Sequence, residues 1–304
     1  MTTLITGGAG MVGCHLKDIA PDYIYLTRED CDLTKYDQVE RIFEFYKPIN
    51  VVHLAAKVGG ILQNIKFPAD FYDANITMNT NVLMAARKTK VDNFLSILTT
   101  CIYPDVVEKY PLKEEDMHKG PPAQANFSYA YTKRCMAVQM EAYNKQYGLN
   151  YNYLIPCNLY GEYDNFIDPY KMHFVTALIK KIIISEKENK KSISLFGSGK
   201  PLRQFMYSGD LARVIKTTID KKINASFNVA PTGQNYSINE MSEMALEVLG
   251  KKDWKIEYDS TKPDGQYRKD ACNERMKKYI GDFQFTKFSD GVKKVYNKIK
   301  EREE

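Results

Sequence analysis

The sequence predicts an α/β fold built on a doubly wound parallel sheet, and three observations lead to that prediction. An apolar, β-branched run at the N-terminus enters the glycine cluster Thr6-Gly7-Gly8-Ala9-Gly10-Met11-Val12-Gly13, and a helical pattern follows it. Strand-like and helix-like segments then alternate through the first half of the chain. The distinctive motifs come directly after strand-like runs, where the carboxyl ends of parallel strands form a shared ligand-binding edge.

The glycine cluster has the spacing of the turn that binds a dinucleotide between a strand and a helix. Gly7 permits the tight turn, Gly10 lets the backbone approach a diphosphate, and Gly13 allows close packing of helix on strand. The N-terminus of the following helix offers the amides of Met11 and Val12 to the phosphates. These features predict a Rossmann-type cofactor domain.

The remaining elements of the first half follow from the alternation of apolar runs and helical periodicity. Strands are predicted at residues 23–27, 50–54, 94–98 and 151–155. Helices are predicted near residues 36–46, 67–88 and 129–147. Several residues at the ends of these strands are predicted to line the cofactor: Leu54, Ala55, Ala56, Pro156, Asn158 and Leu159.

The alternation weakens after residue 155, which predicts a smaller, mixed α/β C-terminal substrate lobe. Helices are predicted near residues 172–186, 211–221, 238–249 and 288–300, and strands near residues 193–196 and 227–229. The predicted cofactor domain is residues 1–155 with a later contribution near residues 205–230, and the predicted substrate lobe is residues 156–204 and 231–304. Residues 197–204 and 261–269 form two predicted loops that either close over phosphates or lie solvated at the surface.

Composition limits the function classes. Among 304 residues, 44% are hydrophobic and 27% charged, as in a globular protein. The six cysteines include no CxxC pair and the four histidines lack metal-ligand spacing, so reduced thiols and no metal are expected. A net charge of +5 suits an anionic small molecule and is too small to indicate nucleic acid. Without an apolar run of about twenty residues, we expect a cytoplasmic protein with no membrane partner.

Tyr129 and Lys133 are spaced to share one face of a helix. A lysine cation close to a tyrosine lowers the tyrosine pKa, so this pair is expected to exchange a proton with a sugar oxygen while a nicotinamide transfers hydride. The hydroxyl of Thr99, directly after a strand, is expected to hold the same oxygen.

Several motifs together resemble those of the GDP-L-fucose synthases, which are extended short-chain dehydrogenase/reductases. Besides the glycine turn and the Tyr129/Lys133 pair, the motifs are His53-Leu-Ala-Ala-Lys-Val-Gly-Gly60, Thr100-Cys-Ile-Tyr-Pro104, Pro156-Cys-Asn-Leu-Tyr-Gly161-x-x-Asp-Asn-Phe166, Arg203-Gln-Phe-Met-Tyr-Ser208 and Lys262-Pro-Asp-Gly265. They cover nearly the whole chain. The resemblance implies a GDP-linked 4-keto-6-deoxymannose that is epimerised at C3 and C5 and then reduced at C4 by NADPH.

Epimerisation beside a ketone needs one group that removes a proton from carbon and another that returns one on the opposite face. Cys101 follows Thr99 by two residues and would point into the same pocket, although a cysteine is more often a small buried hydrophobe. The resemblance assigns the acid to His173, and with Tyr129 and Lys133 this completes the predicted catalytic set. The family usually has serine at position 99, where threonine keeps the hydroxyl. Thr100-Cys101 replaces the Asp-Glu pair of sugar-nucleotide dehydratases, which argues against dehydration.

Residues after the second predicted strand bear on cofactor choice. The planar guanidinium of Arg28 suits the 2′-phosphate of NADP, whereas the adjacent Glu29 and Asp30 could instead bind the ribose hydroxyl of NAD. We predict NADPH, and the resemblance implies that Asp32 and Leu33 border the adenine.

The resemblance also implies the residues that hold the nucleotide part of the substrate: Asn158, Lys181, Arg203, Lys262 and Lys269. It further implies a homodimer formed through the two long helices. Two alternatives stay open at this point. The chain could reduce C4 of a related keto-hexose or keto-heptose without epimerisation, or it could be a non-catalytic dinucleotide sensor. The sensor is disfavoured because both Tyr129 and Lys133 are kept.

Overall fold

The computed structural model describes residues 2–168, 172–262 and 264–303 of the protein. Eleven strands lie in these residues: β1 (Thr3–Thr6), β2 (Ile24–Leu26), β3 (Asn50–His53), β4 (Asn93–Ile97), β5 (Asn150–Pro156), β6 (Asn158–Tyr160), β7 (Ser192–Phe196), β8 (Leu202–Tyr207), β9 (Phe227–Val229), β10 (Asn235–Ser237) and β11 (Lys255–Asp259). The helices of the same residues are α1 (Met11–Ile19), α2 (Tyr36–Tyr46), α3 (Ile61–Lys66), α4 (Pro68–Lys88), α5 (Phe127–Tyr147), α6 (Phe174–Lys187), α7 (Ser208–Asp220), α8 (Ile238–Val248), α9 (Glu274–Ile280) and α10 (Phe288–Glu303).

The main sheet has six parallel strands in the order β2-β1-β3-β4-β5-β9. Along its strands, side chains alternate between two buried faces: Leu4 and Val51 pack into one core cluster, and Ile5 and Val52 into another. The chain passes from β1 to β2 on one side and then to β3 on the other. The predicted doubly wound α/β sheet is therefore confirmed, with a crevice for ligands where the strand order reverses.

A row of asparagine side chains joins the amino ends of four strands, at the sheet edge opposite that crevice. Asn50 donates to Thr3 Oγ1 at 3.2 Å, Asn93 donates to Asn50 Oδ1 at 2.9 Å, and Asn150 donates to Asn93 Oδ1 at 2.6 Å. Each bond spans two neighbouring strands. The row therefore fixes the strand register at this end, and with it the relative heights of the carboxyl ends where ligands bind.

The second half of the chain builds two small sheets, β10-β8-β6 and β11-β7. A separate core cluster lies between them and α6, α8 and α10, and it includes Ile179, Leu246 and Val292. This arrangement confirms a mixed α/β architecture after the main sheet, while the predicted domain boundaries stay predictions. No helix within the described ranges has the length and apolarity needed to cross a bilayer.

One predicted loop was wrong. Leu202–Tyr207 is strand β8, so Arg203 and Gln204 lie on a strand and only the preceding residues 197–201 form a turn. Local sequence concealed this because the strand depends on partners distant in sequence: β10 pairs antiparallel with it and β6 parallel. In the other predicted loop, Pro263 lies outside the described residues.

Candidate active site

The glycine turn after β1 forms a concave backbone surface, the cradle, in which side chains at the glycine positions would clash. Gly7 has φ +74°, and a Cβ there would lie 2.7 Å from the backbone nitrogen of Ala55. A Cβ on Gly13 would lie 2.5 Å from Gly8 O. Gly10 precedes α1 without a side-chain cap, so the first-turn amides of Met11 and Val12 are available to an anion. The cradle fits the diphosphate of a dinucleotide.

The strand ends beside the cradle carry the other predicted cofactor residues. Leu54 follows β3 and donates its backbone N–H to Thr6 O at 3.1 Å, which places Ala55 and Ala56 against the turn. Pro156 ends β5, and Asn158 in β6 donates from Nδ2 to Gln204 O at 3.0 Å, with Leu159 next in the strand. These residues therefore lie along one edge of the main sheet.

Two of the acidic residues after β2, Asp30 and Asp32, accept hydrogen bonds from their own loop. Asp30 Oδ2 accepts hydrogen bonds from Thr27 N at 2.7 Å and Thr27 Oγ1 at 2.8 Å. Asp32 Oδ1 accepts from Thr34 Oγ1 at 2.8 Å, and Leu33 is buried in the core. Arg28 is exposed. With Asp30 turned back onto Thr27, Arg28 is the better placed group for the ribose end of the cofactor, which favours NADP.

Tyr129 and Lys133 lie in the first turns of α5. Lys133 Nζ is buried and donates to Ile97 O at 2.8 Å, and burial lowers the pKa of Lys133 to about 8. The expected lowering of the Tyr129 pKa is wrong in this structure. Burial raises the pKa of Tyr129, and a negative charge on Cys101 raises it further. Tyr129 therefore keeps its proton at neutral pH, because partial burial disfavours the charged phenolate.

A buried histidine supports this region, and its role was not predicted. His53 Nδ1 lies 2.6 Å from Thr6 Oγ1, and its Nε2 lies 3.1 Å from Asn79 Oδ1. Burial, followed by the charge of Lys133, lowers the pKa of His53 to about 3, so the imidazole is neutral. Its hydrogen bonds join β1 and β3 to α4 beneath the Tyr129/Lys133 pair.

Cys101 lies in a 3₁₀ turn directly after β4, and Thr99 caps that turn by accepting from Cys101 N at 3.3 Å. Lys269 Nζ is 2.8 Å from Cys101 Sγ. Burial by itself raises the pKa of Cys101. The charge and hydrogen bond of Lys269, the contact with Thr99 and the charge of Arg203 outweigh it, so the pKa of Cys101 is lowered.

His173 occupies the position directly before α6 and is paired with a carboxylate that was not predicted. Its Nδ1 lies 2.9 Å from Asp164 Oδ1, and Thr176 donates to Asp164 Oδ2 at 2.6 Å. Burial lowers the pKa of His173, but Asp164 and then Cys101 outweigh it, so the pKa is raised. Asp164 stands in the motif that follows Gly161, which was the one sequence signal that could have revealed it.

The predicted substrate residues are divided between two places. Lys269 and Arg203 lie at Cys101, whereas Lys181 and Lys262 border Phe196. Lys181 Nζ lies 4.7 Å from the ring centroid of Phe196 and Lys262 Nζ lies 5.9 Å from it, and this ring is 59% exposed. Phe196 was not predicted. An exposed aromatic ring between two cations can accommodate a base and its phosphates.

One pocket thus holds several groups around a single sulfur atom. A charge on Cys101 affects the pKa values of Tyr129, His173 and Arg203, so these groups lie within its electrostatic reach. The cysteine is biased toward its basic form and the histidine toward its acidic form. Together they can remove a proton and return another, beside a tyrosine that holds its own proton.

Residues 3–230 match the model of the NAD dependent epimerase/dehydratase family. The chain belongs to that family. The GDP-L-fucose synthase of Dictyostelium discoideum is 36% identical over 301 residues, which cover 96% of this chain and 93% of that protein. The motif resemblance to GDP-L-fucose synthases is therefore confirmed, and so is the expectation of an enzyme.

Solved structures agree with this assignment. A GDP-L-fucose synthetase from Naegleria fowleri bound to NADP is 31% identical with a TM-score of 0.89, covering 99% of this chain and 93% of that chain. A GDP-6-OMe-4-keto-L-xylo-heptose reductase from C. jejuni is 25% identical with a TM-score of 0.88, covering 99% and 98% of the two chains. The relatives thus include both fucose-type synthases and a heptose reductase.

Proposed function

We propose that this enzyme epimerises C3 and C5 of a GDP-linked 4-keto-6-deoxymannose and then reduces its C4 ketone with NADPH, giving GDP-L-fucose or a close relative. The observation that carries the proposal is the pairing of Cys101 with Lys269 and of His173 with Asp164 in one pocket. NADP(H) is supported by the glycine cradle, by the exposed Arg28 and by the NADP-bound relative.

In the epimerisation, Cys101 acts as the base and His173 as the acid. The thiolate takes a proton from C3 or C5, and the electron pair moves onto the C4 ketone oxygen. The imidazolium then delivers a proton to the opposite face of the same carbon and restores the ketone with inverted configuration. A neutral thiol and a neutral imidazole remain, and both exchange protons with solvent before the second epimerisation.

In the reduction, Tyr129 acts as the proton donor. NADPH, when bound, supplies the hydride that C4 receives. The Tyr129 phenol delivers a proton to the C4 oxygen while the Thr99 hydroxyl holds that oxygen in place. The raised pKa of Tyr129 suits this direction of reaction, because a proton donor must carry its proton at the start. Lys133, fixed on Ile97 O, supports the cofactor side of the pocket.

The nucleotide of the substrate is assigned to the surface around Phe196. Lys181 and Lys262 supply the cations there, and Arg203 and Asn158 connect that surface to the catalytic pocket. We also propose a homodimer through α4 and α5, whose outer surfaces expose apolar side chains: Met84, Val138 and Tyr147.

The alternative function is reduction at C4 without epimerisation, and the similarity to a heptose reductase favours it. Turnover of GDP-4-keto-6-deoxymannose in deuterated water separates the possibilities. The proposal requires NADPH oxidation together with solvent deuterium at C3 and C5 of the product, measured by NMR and mass spectrometry. NADPH oxidation without deuterium at either carbon would leave only the reductase. A companion reaction without NADPH should still incorporate deuterium into the substrate, because epimerisation precedes reduction.

An Asp164→Asn variant should shift the pH dependence of epimerisation. Asparagine can still accept from His173 Nδ1, but it removes the negative charge that outweighs burial and raises the His173 pKa. The acid form of His173 is lost as pH rises through its pKa, so the alkaline limb should move to lower pH. Because the ring is 40% exposed, we expect a shift of about one pH unit, at the lower end of the range for a close charge.

The measurement is the rate of deuterium incorporation against pH, together with an NMR titration of the His173 ring. Asp37→Asn, which removes an exposed carboxylate in α2, serves as the matched control and should leave both curves in place. An alkaline limb that stays put in Asp164→Asn while the His173 titration moves would show that His173 is not the acid.

A further inference from the structure

We propose that Lys269 is a positioning residue that holds Cys101 as a thiolate. The inference rests on the proposed function in one respect, since it takes Cys101 as the base of the epimerisation. It adds to the part assigned to Lys269, which the family resemblance places with the cations that bind the nucleotide of the substrate.

The contact itself is short and enclosed. Lys269 Nζ lies 2.8 Å from Cys101 Sγ, and Lys269 is only 8% exposed. An ammonium group at this distance from a sulfur atom donates a charge-assisted hydrogen bond to the thiolate. The neutral thiol is a weaker acceptor, so its hydrogen bond with the ammonium group is weaker. Enclosure strengthens the effect, since water screens the pair poorly. The arrangement therefore favours the deprotonated cysteine.

The backbone around Lys269 is held by the same loop that follows Cys101. Leu112 in that loop donates to Asp270 O at 2.8 Å and accepts from Cys272 N at 2.8 Å. Tyr110 Oη donates to Arg268 O, also at 2.8 Å. The lysine and the cysteine thus share one support, although 168 residues separate them in sequence. A lysine held on both sides in this way is suited to a fixed partner.

The other charged and titratable groups that face Cys101 have different partners. Arg203 on β8 donates to Leu202 O at 2.8 Å, and His173 at the start of α6 is held by Asp164. Tyr129 on α5 is neutral at ordinary pH, and Thr99 contributes a hydroxyl next to the Cys101 amide. Lys269 is therefore the cation in direct contact with the sulfur, and Arg203 adds a weaker field.

This assignment explains how a cysteine can serve as the base near neutral pH. An unperturbed thiol has a pKa of about 8.5, so only a few per cent is thiolate at pH 7. A cation in contact with the sulfur lowers the pKa by about one to three units. After the sulfur takes a proton from carbon, the same cation promotes release of that proton to solvent. Lys269 thereby readies Cys101 for each of two successive epimerisations.

Alkylation of Cys101 by iodoacetamide tests the inference without any sugar substrate, because iodoacetamide reacts with the thiolate. The rate at Cys101 is followed by mass spectrometry across a pH series in the unmodified enzyme, Lys269→Met and Lys269→Arg. In Lys269→Met the midpoint of the plot of alkylation rate against pH should rise by about one to three pH units. Alkylation of Cys101 at neutral pH should therefore slow about tenfold or more. Lys269→Arg should recover part of the loss, since it keeps the charge.

Two controls accompany this series. Cys14, whose thiol has a pKa raised by burial, is a reference within each sample and should react alike in all variants. Lys277→Met, which removes an exposed lysine from the adjacent helix α9, should leave the Cys101 profile unchanged. If Lys269→Met does not fold, the Cys101 titration can be measured in the unmodified enzyme by the ultraviolet absorbance of thiolates. Subtracting the absorbance of the Cys101→Ser variant leaves the contribution of Cys101.

Two results would overturn the inference. One is a folded Lys269→Met enzyme whose Cys101 alkylation profile against pH is unchanged. The other is a Cys101 absorbance titration at or above the pH of an ordinary thiol. Neither depends on turnover. Absence of deuterium from C3 and C5 would instead overturn the proposed function and leave the Cys101 titration as measured, so the two failures are distinguishable.

Discussion

Replacing Cys101 with serine should reduce deuterium incorporation at C3 and C5 by about 10²- to 10⁴-fold, the usual contribution of a general base. The serine hydroxyl is nearly isosteric with the thiol, but Lys269 cannot make it basic at neutral pH, because an alcohol is a far weaker acid. Incorporation is followed by mass spectrometry in deuterated water without NADPH. With NADPH added, the ketone should still be reduced, which gives a product with unchanged configuration at C3 and C5.

His173→Gln is the matched variant for this experiment. With Cys101 intact and the acid removed, a proton leaves and returns on one face, so deuterium should enter without inversion of configuration. Loss of exchange in Cys101→Ser would identify Cys101 as the base. Exchange without inversion in His173→Gln would identify His173 as the acid. Equal rates of exchange in Cys101→Ser and the unmodified enzyme would exclude the thiol as the base.

Replacing Tyr129 with phenylalanine should impair the reduction at C4 and leave the epimerisation at C3 and C5 intact. The C4 oxygen loses its proton donor, so NADPH oxidation should fall by about 10²- to 10⁴-fold. Deuterium incorporation at C3 and C5 should persist, because Cys101 and His173 are untouched. The measurements are NADPH absorbance under single-turnover conditions and mass spectrometry of the accumulated keto sugar.

Tyr131→Phe, two residues along α5, provides the control for loss of a hydroxyl from the same helix, and its NADPH oxidation should be unchanged. If Tyr129→Phe stopped both exchange and reduction in a folded protein, Tyr129 would be part of the epimerisation as well. That result would require a single proton network for both reactions. The structure places the charge of Cys101 close enough to affect Tyr129, so this alternative has a physical basis.

Much of the fold could be predicted because its signals are local. The glycine turn needs backbone conformations that only glycine adopts without strain, as Gly7 illustrates with φ +74°. The buried strands of the main sheet appear as apolar runs, and α2 was predicted at its observed bounds from periodicity alone. The strands β6, β8, β10 and β11 and the short helices α3 and α9 were missed, because the pairing of these strands depends on partners distant in the chain.

The predicted site shows the same division. Thr99, Cys101, Tyr129, Lys133 and His173 were selected from motif spacing and resemblance, and their catalytic roles stay predictions until the variants are tested. Phe196 was missed because a phenylalanine in isolation has no distinctive pattern. Asp164 stands in a motif, but the motif does not show that it pairs with His173. Lys269 was selected, but with phosphate as its expected partner.

The sequence by itself determined the backbone scaffold, namely a glycine turn, a parallel sheet and a helix with Tyr129 and Lys133 on one face. Only the tertiary structure decided the proton affinities of the groups on that scaffold. It partly buried Tyr129 so that its pKa rises, paired His173 with Asp164, and brought Lys269 to Cys101 across 168 residues. The physical reason is that backbone conformation depends mainly on neighbouring residues, whereas a pKa depends on burial and on charges that folding brings together.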